Sequence, residues 1–211
     1  DAAMGVLTLN GVTIDTASDS SSDSGIYANN ALTIVLEGQN SIRGADMECG
    51  ILLDFGALTL SGDGSLEVSG SDCGIAAFAG VSVENSVSKL TVSGNDGAFS
   101  ASDGAPITIG ETEYDHYSDL LQLVTVEKGE LVSNVSLPTE LWVNGVDILT
   151  NPGDAPDSVS YNAETGVLTL ENAEITQTGS SYPAGGIGIY SDRALTIVLE
   201  GQNFIAGEDI E

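Results

Sequence analysis

Residues 25–49 read GIYANNALTIVLEGQNSIRGADMEC, and the central ten, ALTIVLEGQN at 31–40, return unchanged at 194–203. Inside this stretch apolar residues alternate with polar ones, the period of two that marks a strand with one buried face. Leu32, Ile34 and Leu36 are expected inward, with Thr33 and Val35 outward. The same plan follows in GILLDFGALTLSGDGSLEVSGSDC at 50–73 and GIAAFAGVSVENSVSKLTVSGND at 74–96, and it opens a fourth time in GAFSASDGAPITIG at 97–110. Leu58 and Leu60, then Val81 and Val83, then Ile107 and Ile109 repeat the inward pair. A second strand carries Val12 and Ile14, Ile42, Leu66 and Val68, and Leu90 and Val92. An opening strand carries Ile26, Ile51, Ile75 and Ala98.

Three short strands per unit of 23–25 residues describe a three-sided coil. Stacked coils put like residues over like at about 4.8 Å, the spacing of neighbouring strands. One coil cannot bury its own apolar side, but a stack builds a continuous core. The reading is an all-β chain, a right-handed three-sided parallel β-helix. A left-handed hexapeptide coil would need strict six-residue spacing, which is absent. The hairpins of a β-sandwich would not space Gly25, Gly50, Gly74 and Gly97 so evenly.

A longer period explains the duplicated decapeptide. GVLTLNGVTI at 5–14 returns as GVLTLENAEI at 166–175, and GIYANNALTIVLEGQN at 25–40 returns as GIGIYSDRALTIVLEGQN at 186–203. One module is therefore about 160 residues. The expected organisation is a β-helix module over 1–138, lacking its N-terminal strand and capped from about 111, followed by a second, truncated copy over 139–211. In the cap region, YDHYSDLLQLV at 114–124 suggests a short amphipathic helix with Asp115 or Ser118 as N-cap. LWVNGVDI at 141–148 carries Asn144-Gly145 between apolar runs, a hairpin signal.

The chain holds 32 acidic residues against four basic ones, for a net charge of −28. That balance argues against nucleic acid and against an anionic membrane surface, both of which recruit Lys and Arg. No apolar run reaches the roughly 18 residues of a membrane span. No positively charged, apolar leader stands at Asp1, so any signal peptide is expected to have been removed or to lie outside this sequence. The acidic, Lys-poor, Ser/Thr-rich balance suggests a bacterial extracellular protein.

The strings TGVLTL, GIY, LTIVLEGQN and LTLSGDGSLEVSG together resemble repetitive β-helix modules in secreted surface proteins of anaerobic bacteria, over most of 1–110 and 162–211. Some of those modules are described as carbohydrate-binding domains, and their fold is similar to that of pectate lyases. The resemblance implies a cell-surface or secreted location and glycan or adhesive binding. It carries no functional residue over to this chain.

Catalysis finds little support in the residues. A β-helix lyase uses a basic proton abstractor, and only Arg43, Lys89, Lys128 and Arg193 are present. Arg43 aligns with Ala206 and Arg193 with Asn30, so neither is kept between the two copies. Asp46, Asp72 and Asp96 recur near one corner, as a glycosidase carboxylate set would, but acidic turn residues are ordinarily solvated. His116 is alone. No catalytic residue is assigned and no cofactor is required. Ca²⁺ is the one candidate metal, with Asp19, Asp23 and Asp63 in Asp- and Gly-rich turns as oxygen donors.

Cys49 and Cys73 each stand immediately before a coil's first Gly and should stack. In-register parallel neighbours orient two sulfurs poorly, so a ladder of buried thiols is expected ahead of a disulfide. Two positions after each Gly come Tyr27, Leu52, Ala76 and Phe99, with Tyr190 matching Tyr27 in the second copy. This outward stripe is the candidate binding face, for a cell-surface or dietary polysaccharide or for a protein. The leading functional expectation is a non-catalytic surface module. A spacer of tandem modules comes second, and a polysaccharide lyase or hydrolase third. The second copy has only about two coils, so its last face should expose apolar core and favour docking, including head-to-tail or end-to-end self-association.

Overall fold

The structure, a computed structural model, describes residues 5–16, 24–44, 49–115, 120–163, 165–177 and 186–207. Strand makes up 54% of the described residues, and stacked parallel coils form a β-solenoid of about seven turns. The chain divides into two compact units, 1–135 and 136–211.

The first unit has three sheets. Sheet A stacks β1 (Val6–Asn10), β4 (Leu32–Glu37), β7 (Leu58–Ser61), β10 (Val81–Val83) and β13 (Ile107–Ile109), with β14 (Thr112–Tyr114) last. Sheet B stacks β2 (Thr13–Asp15), β5 (Gln39–Arg43), β8 (Ser65–Ser69) and β11 (Lys89–Ser93), followed by β15 (Leu123–Glu127) and β16 (Glu130–Val135). Sheet C holds β3 (Ile26–Ala28), β6 (Ile51–Leu53), β9 (Cys73–Ala77) and β12 (Gly97–Ser100). Coil strands pair in parallel, as the repeat requires: Leu32 faces Leu58, and Leu58 faces Val81. The inward residues bear out the period-two reading, since Ile34, Leu36, Leu58, Leu60, Ile51, Ile75 and Leu90 are all fully buried in one core.

The stack ends by reversing direction. β14 runs antiparallel to β13, β15 antiparallel to β11, and β16 antiparallel to β15. The amphipathic helix expected over 114–124 is therefore not what closes this end. Leu123, Val124 and Val126 are buried on a strand instead, and no α-helix occurs among the described residues. Val-Thr-Val at 124–126 favours extended backbone, and a strand there pairs the hydrogen-bonding edge of β11 that a helix would leave open.

A disulfide joins Cys49 to Cys73, correcting the expectation of free thiols. Cys73 opens β9, but Cys49 lies ahead of β6, outside the ladder whose side chains would diverge. With the two Cα atoms 4.6 Å apart and flexible glycines following both, the sulfurs can turn toward each other. The bridge packs in a small cluster with Ala76 and Leu52.

In the second unit, β17 (Leu141–Val143) and β18 (Val146–Asp147) form the hairpin that Asn144-Gly145 signals. Both turn residues have positive φ, at 52° and 79°, as a two-residue turn between twisted strands demands. A 3₁₀ turn at Pro152–Asp154 leads to β19 (Val159–Asn162), which lies antiparallel on β20 (Val167–Glu171). Then come β21 (Glu174–Gln177), β22 (Ile189–Ser191), β23 (Thr196–Glu200) and β24 (Phe204–Gly207). β20 pairs with β23 as β1 does with β4: Leu168 faces Ile197 and Leu170 faces Leu199, as Leu7 faces Ile34 and Leu9 faces Leu36. The register repeats, but the burial does not. Leu199 is 62% exposed where Leu36 is fully buried: among the described residues β4 has β7 on its far side, and no strand pairs with β23 there.

Candidate functional site

Tyr27, Leu52 and Ala76 share one register row, and Phe99 lies off it. Tyr27 faces Leu52, and Leu52 faces Ala76. Burial deepens along this row, from exposed Tyr27 through half-buried Leu52 to buried Ala76. Phe99 is not on it. Gly97 pairs with Cys73 rather than with Gly74, so Phe99 falls opposite inward-facing Ile75 and joins the core, while Ser100 takes the place beside Ala76. A one-residue difference in coil length moves a side chain to the other face. The stripe is therefore no continuous flat aromatic surface.

Tyr190 sits opposite Trp142 across the antiparallel β17–β22 pair and is half-buried. Leu141 and Val143 beside that tryptophan are buried, which places Trp142 and Tyr190 together on the outer face.

The exposed aromatics of the first unit gather instead at the corner between sheets C and A. The amide of Asp54 donates to the Ala28 carbonyl and that of Phe78 to the Leu53 carbonyl. Asn29, Asp54 and Phe78 thus succeed one another up three coils. Phe55 follows Asp54 and is 81% exposed, and Phe78 is 40% exposed. Glycine at 56 explains why Phe55 stands out. A Cβ there would collide with the Asn30–Ala31 backbone, so the chain hugs the coil below and its preceding side chain is turned away.

Beside these rings the Tyr27 hydroxyl lies 2.6 Å from both Asp54 Oδ2 and Asn29 Oδ1. A phenol has one proton, which goes to the carboxylate as the stronger acceptor. The hydrogen bond to Asp54, then burial, then the negative charge of Asp54 raise the Tyr27 pKa, so the phenol stays neutral. The corner offers two apolar ring faces, an acidic acceptor and a phenol within one short span of solenoid. Asp54, Phe55 and Phe78 escaped the sequence reading. The signal was there, since an aromatic one or two residues before a turn glycine in GILLDFGAL and GIAAFAGV breaks the polar composition of turns.

Among the described residues no three His, Cys, Asp or Glu side chains converge on a metal site. Asp63 is exposed in the turn between β7 and β8, while Asp19 and Asp23 lie outside the described residues, as do Asp46 and His116. Asp72 and Asp96 do stack, the amide of Asp96 donating to the Asp72 carbonyl at 2.8 Å, and both are exposed. Lys89 reaches Glu127 at 3.7 Å, and Arg193 donates to the Leu137 carbonyl at 3.0 Å. No helix among the described residues is long and apolar enough to cross a membrane. No protein-family model, curated protein or solved structure matches this chain.

Proposed function

We propose that this chain is a non-catalytic extracellular module that binds a polysaccharide through the Tyr27–Asp54–Phe55–Phe78 corner. The observation that carries the reading is the pair Phe55 and Phe78, one coil apart and exposed, beside the hydrogen-bonded Asp54 and Tyr27. Aromatic faces take the C–H faces of sugar rings, and a carboxylate accepts from their hydroxyls. Strands about 4.8 Å apart set the two rings along a chain rather than around a single sugar. The Cys49–Cys73 bridge supports an oxidising, extracellular setting. The resemblance to surface modules of anaerobic bacteria points the same way.

The test is affinity electrophoresis against neutral and acidic polysaccharides, with Phe55→Ala, Phe78→Ala and Asp54→Ala. Each ring deletion should weaken binding about tenfold or more, at about 1.4 kcal/mol per decade. Binding that is absent, or indifferent to all three substitutions, would sink the proposal. A spacer role is the second reading. It is favoured by the antiparallel strands that close the first unit, β14–β16, and open the second, β17–β19. Closed ends suit modules set in a row.

A further inference from the structure

We propose that the polysaccharide taken by the Tyr27–Asp54–Phe55–Phe78 corner is a cationic amino-sugar polymer, its ammonium groups held between the exposed rings and the Asp54 carboxylate. The inference rests on the glycan reading above and names the chemical class of ligand. Tyr27, Phe55 and Phe78 are all exposed, so three aromatic side chains reach solvent around one carboxylate. Phe55 is next to Asp54 in the chain, and Phe78 takes the place of Asp54 one coil up. An ammonium group is attracted both to the face of an aromatic ring and to a carboxylate. A neutral hydroxyl gains only the second contact, and more weakly.

The carboxylate has capacity to spare. Oδ2 accepts the Tyr27 hydroxyl at 2.6 Å, while Oδ1 accepts no hydrogen bond and Asp54 enters no ion pair among the described residues. The four Lys and Arg of the chain lie elsewhere. Arg43 closes β5, Lys89 opens β11 and Lys128 sits in the turn between β15 and β16, all belonging to sheet B, and Arg193 is in the second unit. Sheets A and C therefore meet at this corner with no basic side chain on either.

The corner continues upward with the same sign. The Ser102 amide donates to the Phe78 carbonyl at 3.3 Å, which sets exposed Asp103 on the next coil. Asp54 and Asp103 thus flank the rings two coils apart, about 10 Å along the solenoid at the spacing of neighbouring strands. That span exceeds a single sugar ring, so cations repeated along a polymer suit the corner better than one isolated amine. A uronate or sulfated chain would instead set its charges against both carboxylates and against a net charge of −28.

The test is calorimetric titration with a β-1,4-linked glucosamine hexamer and with its N-acetylated counterpart, at mildly acidic pH where the free amines are protonated. About 0.15 M NaCl screens charges more than about 8 Å apart. The amine-bearing hexamer should bind about fivefold or more tightly than the N-acetylated one. Asp54→Asn combined with Asp103→Asn should bring the two to equal affinity, and Phe55→Ala should weaken the amine-bearing form. Asp63→Asn combined with Asp96→Asn removes the same charge from exposed turns elsewhere and should leave the preference intact. Circular dichroism checks that each variant keeps its strands. Equal binding of both hexamers, lost in Phe55→Ala, would overturn this inference and leave the glycan site standing, whereas binding of neither would overturn both. A preference that survives at Asp54 and Asp103, falls equally at Asp63 and Asp96, or is matched by a lysine hexapeptide would trace it to net charge alone and overturn the proposal.

Discussion

Asp192 grips Thr139 from both of its carboxylate oxygens. Oδ1 accepts the amide of Thr139 at 3.0 Å, and Oδ2 accepts its hydroxyl at 2.6 Å. The amide of Glu140 completes the grip on Oδ1 at 2.9 Å, and Arg193 ties the Leu137 carbonyl alongside. This clamp holds the strand entering the second unit, and Asn29 and Asn30 stand at the matching positions of the first.

Asp192→Ala should cost about 1 kcal/mol, the scale of hydrogen bonds to a partly solvated carboxylate. Burial pushes the Asp192 pKa up, but the Thr139 hydroxyl, the two amides and Arg193 outweigh it and leave the value below the ordinary carboxylate range. A depressed folded pKa gives stability that is present above the unfolded value, near 3.9, and lost as pH falls through the folded one. The gap between wild type and Asp192→Ala should therefore close below about pH 4. Fluorescence of Trp142, the only tryptophan, reports urea unfolding of this unit.

Asn40 is the buried polar side chain of the first unit, and its three hydrogen bonds tie three successive coils. Asn40→Ala should destabilise by roughly 2–3 kcal/mol, because the Val12 amide is left without its acceptor. Asn203→Ala should cost less than half as much, its site being only half-buried. Paired denaturation curves of the two variants decide this.

The Cys49–Cys73 bridge closes a loop with a sequence separation of 24. Chain-entropy arithmetic puts the loss on reduction, or on replacing both cysteines with alanine, at about 3 kcal/mol. Thermal unfolding with and without a reductant should show a fall confined to the first unit. Trp142 fluorescence should barely change.

Gly56→Ala should prove more costly than alanine at most turn glycines, by roughly 1–3 kcal/mol. The reason is contact with the backbone below rather than dihedral strain. Gly104→Ala is the contrast: its φ is 78° but its Cβ would meet nothing, so only the smaller conformational penalty applies. A ranking with Gly104→Ala the worse of the two would count against the close-packed corner.

Much of the solenoid was legible because each coil repeats the same inward pair, and a period of two allows only one buried face. Leu32, Leu58, Val81 and Ile107 were placed by that argument alone. Phe99 was misplaced because Gly97 was aligned by residue type, whereas the strand was set by hydrogen bonding one residue away. The cap defeated pattern reading for a different reason: Leu120, Leu121, Leu123 and Val124 suit a helix face as well as a strand, and only the open edge of β11 settles which forms. The corner was hidden because turn residues have no period. Phe78 and Tyr27 become neighbours of Asp54 only once the coils are stacked.

The disulfide also shapes how the molecule would yield to force. Pulled from its two ends, a parallel coil surrenders strand by strand, and a freed coil of about two dozen residues lengthens by about 80 Å. The loop between Cys49 and Cys73 cannot be drawn out while the bridge is intact. An oxidised chain would stop short of its full extension by about one coil, and a reductant would release that length in a single added step.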